Sequence, residues 1–246
     1  MLELISIVMP AYNAAQYIEQ SIESVLKQSY TNWELIIVDD CSIDDTYKIV
    51  EKLCITEERI KLFRMNENSG VAMARNFAIS MSRGKYIAFL DSDDLWLPDK
   101  LEKQLNLMRE KKAVISYTAY RQFSMEKVGN LVSVPEQVTY KQLLKGNVIG
   151  CLTVMLDKER IGNLQMKKAR HEDYILWLDI LKKGNIAYGL QEDLARYRKS
   201  ETSLTSNKKR SALWTWQVYR QHQELSFFAS IYYFIFYVCK GLLKHL

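Results

Sequence analysis

The sequence predicts an α/β fold: a mostly parallel, doubly wound sheet flanked by helices, with a helical extension at the C-terminus. Three observations predict it. Short apolar runs alternate with amphipathic, helix-length segments four times in the first 105 residues, the pattern of a parallel sheet wound by crossover helices. Two of those runs end abruptly in carboxylates, Asp39-Asp40 and Asp91-Ser92-Asp93-Asp94. From Arg196 to Leu246 the composition changes, with nine Lys or Arg against two acids and a closing aromatic stretch, SFFASIYYFIFYVCKGLLKHL.

Taken in order, LISIVM (4–9) reads as the first strand, broken by Pro10-Ala11-Tyr12-Asn13. A helix is expected from Ala14 to Gln28, with Tyr17, Ile18, Ile22, Val25 and Leu26 on one face. ELIIV (34–38) is the second strand. Ser42 or Asp44 can cap the next helix, which carries Tyr47, Ile49, Val50 and Leu53. IKLFR (60–64) is the third strand, followed by a loop over 66–70 and a helix from Val71 to Met81. The fourth strand, Tyr86 to Leu90, leads into the larger acidic cluster. Beyond it, Pro98 suits the first turn of a helix whose apolar face is Leu97, Leu101, Leu105 and Met108. AVISYTAY (113–120) predicts a further strand with Tyr117, Ala119 and Arg121 on one face, and Thr139 to Lys145 a short helix. His171-Glu172-Asp173 opens a helix lined by Ile175, Leu176, Leu178 and Leu181.

In an open α/β sheet, ligands bind in the crevice beyond the carboxyl ends of the strands. Both acidic clusters belong there. Like charges packed this closely are tolerated best around a hard divalent cation, which prefers oxygen ligands. Asp91 and Asp93 share a face if the backbone stays extended; the alternative is that Asp93 or Asp94 caps the following helix. Tyr12 falls beside the same crevice, where an aromatic face can stack a nucleobase and a carboxylate can accept a base N–H. Glycine-rich dinucleotide and P-loop fingerprints are absent, so a metal is expected to neutralise any diphosphate.

Composition bounds the rest. Hydrophobic residues make up 48% and charged residues 26%, which excludes a disordered chain. Cys41, Cys54, Cys151 and Cys239 are scattered, as are His171, His222 and His245; neither set predicts a zinc site or a disulfide framework, and a reducing compartment is expected. Met1-Leu2-Glu3 lacks a basic leader, so no signal peptide is expected, and no run of 18 apolar residues predicts a spanning helix. The net charge of +5 is concentrated in the tail, which suits an anionic surface, lipid or nucleic acid.

Two long stretches carry a specific resemblance: SIVMPAYNAAQYIEQSIESVLKQSYTNWELIIVDDCSIDDT from Ser6, and NSGVAMARNFAISMSRGKYIAFLDSDDLWLPDKL from Asn68. Together they resemble the inverting family 2 glycosyltransferases of GT-A fold, including those of bacterial capsule and O-antigen synthesis. The resemblance is close over residues 1–105 and looser to about 205. It implies a GT-A catalytic domain over 1–205, with a nucleotide-binding half (1–105) and an acceptor-binding half (106–205), and a helical tail over 206–246. It implies transfer from a UDP-sugar to a hydroxyl of a lipid-linked glycan with Mn²⁺ or Mg²⁺ as cofactor. It places Pro10, Tyr12, Asp39, Asp40, Arg75, Asp91, Ser92 and Arg198 in the nucleotide site. Tyr12 would stack the uracil, Asp40 would receive its N–H, and Arg75 would support the base. Asp93 would hold the metal, and Asp173 would be the general base with Glu172 as its partner.

Read without the resemblance, Glu172 and Asp173 do no more than complement the helix dipole. The segment Arg196 to Thr205 resembles the family's closing loop, with Arg198 as a diphosphate contact or a plain solvated cation. The histidine many relatives carry near Ser200 or Glu201 is missing here. Ser226 to Cys239 is too short to span a bilayer; its aromatic and basic composition suits either a helix in the membrane interface or one packed on protein, with a homodimer compatible. No nucleic-acid partner is expected, and the location is cytoplasmic, at the inner face of the membrane. The competing readings are a sugar nucleotidyltransferase and a non-catalytic membrane or nucleic-acid binding protein.

Overall fold

The computed structural model describes residues 3–124, 126–199 and 208–243. The first half alternates as expected: β1 (Ile5–Ala11), α1 (Ile18–Leu26), β2 (Trp33–Asp39), α2 (Thr46–Thr56), β3 (Ile60–Arg64), α3 (Val71–Met81) and β4 (Tyr86–Phe89). These four strands run parallel in the order β3-β2-β1-β4, with Ile7 of β1 level with Leu35 of β2 and Ala88 of β4. Every residue of β1, β2 and β4 is buried, because helices cover both faces of the sheet. The twofold alternation of strand side chains then divides the core. Ile5, Ile7 and Met9 face Ile18, Ile22 and Val25 of α1, whereas Val8, Ile87 and Phe89 face α3 and a later helix.

The second half continues the sheet with mixed polarity. It comprises β5 (Leu95–Trp96), α4 (Lys100–Glu110), β6 (Ile115–Phe123), β7 (Val128–Val132), β8 (Gln137–Val138), α5 (Tyr140–Leu144), β9 (Met155–Asp157), α6 (Lys158–Ile161), α7 (Glu172–Lys182) and β10 (Ala187–Arg198). Strand β9 inserts antiparallel between β4 and β6, and β10 pairs parallel with β6. Trp177 of α7 meets Phe89 edge-on at 5.7 Å, packing the second-half helix on the central strands. A polar staple fixes the opposite end of the sheet: Glu34 accepts hydrogen bonds from Ser6, Lys61 and the Arg83 amide. Burial alone would raise its pKa, but these donors outweigh it and hold it at about 2.

Several boundaries differ from expectation. The first helix begins at Ile18 rather than Ala14, because the Ala14 amide is held by Thr46 Oγ1. The helix after the acidic cluster begins at Lys100, so Pro98 and Leu97 lie outside it: the carbonyl of Pro98 accepts the Ser29 amide and that of Leu97 the Gln28 side chain. Leu101, Leu105 and Met108 are buried as the pattern requires. The strand expected over 113–120 runs from 115 to 123. Asp44 accepts the Thr46 amide, but Asp45 occupies the cap position of α2.

The tail forms α8 (Lys208–Gln217), a π-helical turn (Val218–His222) and α9 (Phe227–Leu243). The π turn is buried through Val218 and Tyr219, whose hydroxyl donates to the Leu144 carbonyl. Tyr233 and Phe234 of α9 pack against the core, so part of the tail is a packing helix. Among the described residues no helix is long and apolar enough to cross a membrane.

Candidate active site

The loops following β1 and β2 build one wall of the crevice by tying to each other. Asn13 and Cys41 both adopt left-handed backbone (φ 48° and 64°), which bends each loop sharply after its strand. The Asn13 amide donates to Ser42 Oγ, and Asn13 Oδ1 accepts the Ile43 amide. This cross-tie sets Tyr12, 49% exposed with its ring open to solvent, beside the Asp39-Asp40 pair. Pro10 is buried in β1 behind it. Asp39 is fully buried and accepts the Ser42 amide, with Arg64 Nε at 3.3 Å. Asp40 accepts the amides of Ser69 and Gly70, one on each oxygen at 2.8 Å, pinning the loop that opens α3. Each carboxylate oxygen keeps a second acceptor lone pair, so this tie does not exhaust Asp40.

The second wall is the turn after β4. Asp91 to Asp94 are not extended: the Asp94 amide donates to the Asp91 carbonyl, so the alternation argument for Asp91 and Asp93 does not apply. Neither Asp93 nor Asp94 caps α4, whose cap position is Asp99. Asp94 instead accepts the Arg198 amide at 2.7 Å on one oxygen, while the other is buried without a partner. Burial raises the pKa of Asp93, and the charge of Asp91 adds to it; Asp94 is pushed well above the carboxylate range by the same two causes. Ser92 is buried, and its carbonyl accepts Ser21 Oγ.

Arg198 is the last residue of β10 and is buried, not a solvated cation on a loop. Its guanidinium lies over Tyr17 at 4.2 Å and Phe123 at 4.4 Å. Its Nε donates to the Asp93 carbonyl at 2.6 Å and its Nη2 to Gln20. It therefore clamps the backbone of the acidic turn. Residues 200–205 of the expected closing loop, Ser200 and Glu201 among them, lie outside the described residues, as do Lys244 and His245.

Arg75 joins the two halves of the site. Buried on α3, it donates from Nη2 to Asp91 at 2.6 Å and from Nη1 to Glu172 at 2.8 Å. It supports the acidic motif and the head of α7 at once, a role its sequence neighbourhood did not reveal. Asp173 is half-buried beside Glu172 at the start of α7, where one of its oxygens accepts the Tyr174 amide. Burial and the neighbouring Glu172 charge raise its pKa to about 6, with Arg75 pulling in the opposite direction. His171, immediately before the pair, is left-handed at φ 59°. Such strain concentrates at functional sites. Asn76 carries no chemical motif of its own, yet its side chain both donates to and accepts from the Met166 backbone and so fixes the approach to α7.

The chemistry of the donor set fits a divalent cation. The buried, partnerless oxygen of Asp94, beside Asp91 and Asp93 in one tight turn, is an oxygen ligand that no described protein group satisfies. Among the described residues no three His, Cys, Asp or Glu converge into a protein-only cage.

Residues 6–156 match the model of glycosyl transferase family 2. The chain belongs to that family. Family 2 membership makes it a glycosyltransferase. Four curated relatives match over 95% or more of their own length. One is the Bacillus subtilis "Putative teichuronic acid biosynthesis glycosyltransferase TuaG", 45% identical over 99% of this chain and 98% of that protein. Another is the Escherichia coli "UDP-Glc:alpha-D-GlcNAc-diphosphoundecaprenol beta-1,3-glucosyltransferase WfgD", 41% identical over 98% and 95%. Among solved structures, S. aureus TarS in complex with UDP-GlcNAc superposes with a TM-score of 0.74 at 19% identity, over 96% of this chain and 72% of that one. A Pyrobaculum calidifontis mannosyltransferase in complex with GDP-Man and Mn²⁺ gives 0.69 at 18%, over 88% and 63%. These structural likenesses establish the GT-A fold of this family 2 member.

Proposed function

We propose that this glycosyltransferase acts in surface polysaccharide biosynthesis. It transfers a sugar with inversion from a UDP-sugar to a hydroxyl of a lipid-diphosphate-linked glycan, forming a β-linkage at the inner face of the cell membrane. The observation that carries the reading is the Asp91–Arg75–Glu172 bridge, which joins a donor-side carboxylate motif to a helix head bearing a carboxylate of raised pKa. The printed names of the relatives support the substrate classes, and UDP-glucose is the first donor to test.

Tyr12 stacks the uracil and Asp40 accepts its N–H with the lone pairs its amide ties leave free. Asp91 holds the ribose side of the donor while bound to Arg75. Asp93 would hold Mn²⁺ or Mg²⁺, and the ion would supply positive charge to the leaving diphosphate. Asp173 takes the acceptor hydroxyl proton as the oxygen bonds to the anomeric carbon, and UDP departs with the electron pair of the broken C–O bond. A base whose pKa is about 6 is mostly ionised at neutral pH and still takes a proton readily. Glu172, held by Arg75, keeps Asp173 in place.

The test is calorimetric titration of UDP with and without Mn²⁺, followed by a transfer assay. Asp93→Ala is expected to lose metal-dependent UDP binding. Asp173→Asn is expected to keep it and lose about 10²- to 10⁴-fold in transfer rate. Full transfer activity in Asp173→Asn would overturn the assignment of the base.

A further inference from the structure

Two surface features outside the active site belong together. The first is the outward face of α9. Phe228 is 83% exposed and Ile235 56%, and Ile231, Tyr232 and Val238 complete the stripe at helical spacing. An apolar stripe of this extent marks an interaction site, unlike scattered single residues. The second is a cavity of about 760 Å³ at the far end of α7, with Lys167, Lys168, Lys182 and Lys183 around an apolar wall that includes Met73 and Ile180. Its one acid, Asp179, is already engaged by Lys167 at 3.6 Å and by Gln223 Nε2 at 2.8 Å. Lys168 and Lys183 have no acidic partner among the described residues.

Gln223 connects the two features. It is buried, its carbonyl accepts Lys182 Nζ at 3.1 Å, and it stands four residues before the start of α9. Further along the helix the Lys145 ammonium sits 4.6 Å over the Phe236 ring, and Lys240 follows in the last turn. Apolar side chains bordered by cations match a lipid interface, where the rings enter the acyl boundary and the ammonium groups meet phosphates. A second copy of the chain fits less well. A twofold contact through this face would set its bordering lysines against one another, with Glu224 the only acid between Lys208 and Lys240.

We propose that the α9 face and the lysine-lined cavity form one docking surface for an anionic phospholipid bilayer, with a lipid phosphate seated among the four lysines. This rests on the reading of a membrane-linked acceptor and adds a specific headgroup site to it.

The experiment is vesicle co-sedimentation of the full chain with phosphatidylcholine alone and with phosphatidylcholine carrying phosphatidylglycerol. Wild type is expected to favour the anionic vesicles. Lys168→Glu/Lys183→Glu is expected to bind them at least about 25-fold more weakly, from roughly fivefold per lysine, while keeping UDP binding. Ile231→Glu/Ile235→Glu is expected to lose both vesicle types. Glycerol phosphate in solution, the control for a free-phosphate site, is expected to leave vesicle binding unchanged; displacement by it would overturn the lipid assignment. Unchanged anionic preference in the lysine variant would overturn the cavity assignment while leaving membrane contact through α9 standing. A wild type that ignores both vesicles, and dimerises through α9 instead, would overturn the docking surface and the membrane reading with it, whereas UDP binding reports separately on the catalytic reading.

Discussion

Replacing Arg75 with Met removes the cation that bonds both Asp91 and Glu172. Breaking a buried ion pair costs about 3–5 kcal/mol when the orphaned partner is fully enclosed. Here the Asp91 side chain is 29% exposed and that of Glu172 14%, so solvent reduces the loss to about 2–3 kcal/mol of stability. The larger consequence is for the base. Arg75 favours the charged form of Asp173, whose pKa is already raised to about 6 by burial and by Glu172. Removing an opposite charge at short range raises a carboxyl pKa by about 1 to 3. With a rise of about 2, the ionised fraction at pH 6.5 falls about 25-fold. The acid limb of the transfer rate, expected near pH 6 in the wild type, then moves up toward pH 8, and activity returns at pH 9. Glu172→Gln has the opposite sign: it removes a like charge and moves the limb below pH 6. The assay is the pH dependence of kcat from pH 5 to 9, with UDP binding followed in parallel. A limb that stays near pH 6 while the rate drops evenly at every pH would refute the electrostatic link between Arg75 and the base.

Arg198→Met is expected to weaken metal-dependent UDP binding about tenfold, because the Asp93 carbonyl loses a charge-assisted hydrogen bond. Calorimetry measures this, and Arg198→Lys is expected to recover only part of it, since one ammonium lacks the planar fork that reaches both Asp93 and Gln20. Trp177→Ala is expected to cost about 3–5 kcal/mol in urea unfolding, since this fully buried ring packs on Phe89 at the centre of the sheet. Glu34 contributes stability at neutral pH because its folded pKa, about 2, lies below its ordinary value of 4.5. That contribution is lost as pH falls from about 4.5 to 2, and Glu34→Gln is expected to flatten the acid-unfolding curve over this range.

Strands β1, β2 and β4 were legible because each is a short apolar run buried on both faces, with carboxylates at the ends of β2 and β4; β3, an edge strand only partly buried, was legible from its spacing between two helical segments. Strands β7 and β8 were not legible: VGNLV is mostly exposed and QV has only two residues, so neither carries an apolar run or a clean alternation. In the site, residue types could be matched to a family pattern, but partners could not. Arg75 and Glu172 are 97 residues apart, and nothing local to either announces the other. The burial of Arg198 was not legible for a related reason. Its neighbours Lys199 and Ser200 read as loop, whereas the aromatic faces that bury it come from Tyr17 on the approach to α1 and Phe123 at the end of β6.

The same 97-residue separation has a consequence in time. On a ribosome adding about 5–20 residues per second, Glu172 is made roughly 5–20 s after Arg75. Until then the nascent first half has its acidic turn and its arginine but not the helix that carries the proposed base. On the proposed function, reactivity toward nucleotide-sugars is thus deferred until α7 has been made and has docked on Arg75, with the Arg198 clamp on the acidic turn following from still later in the chain.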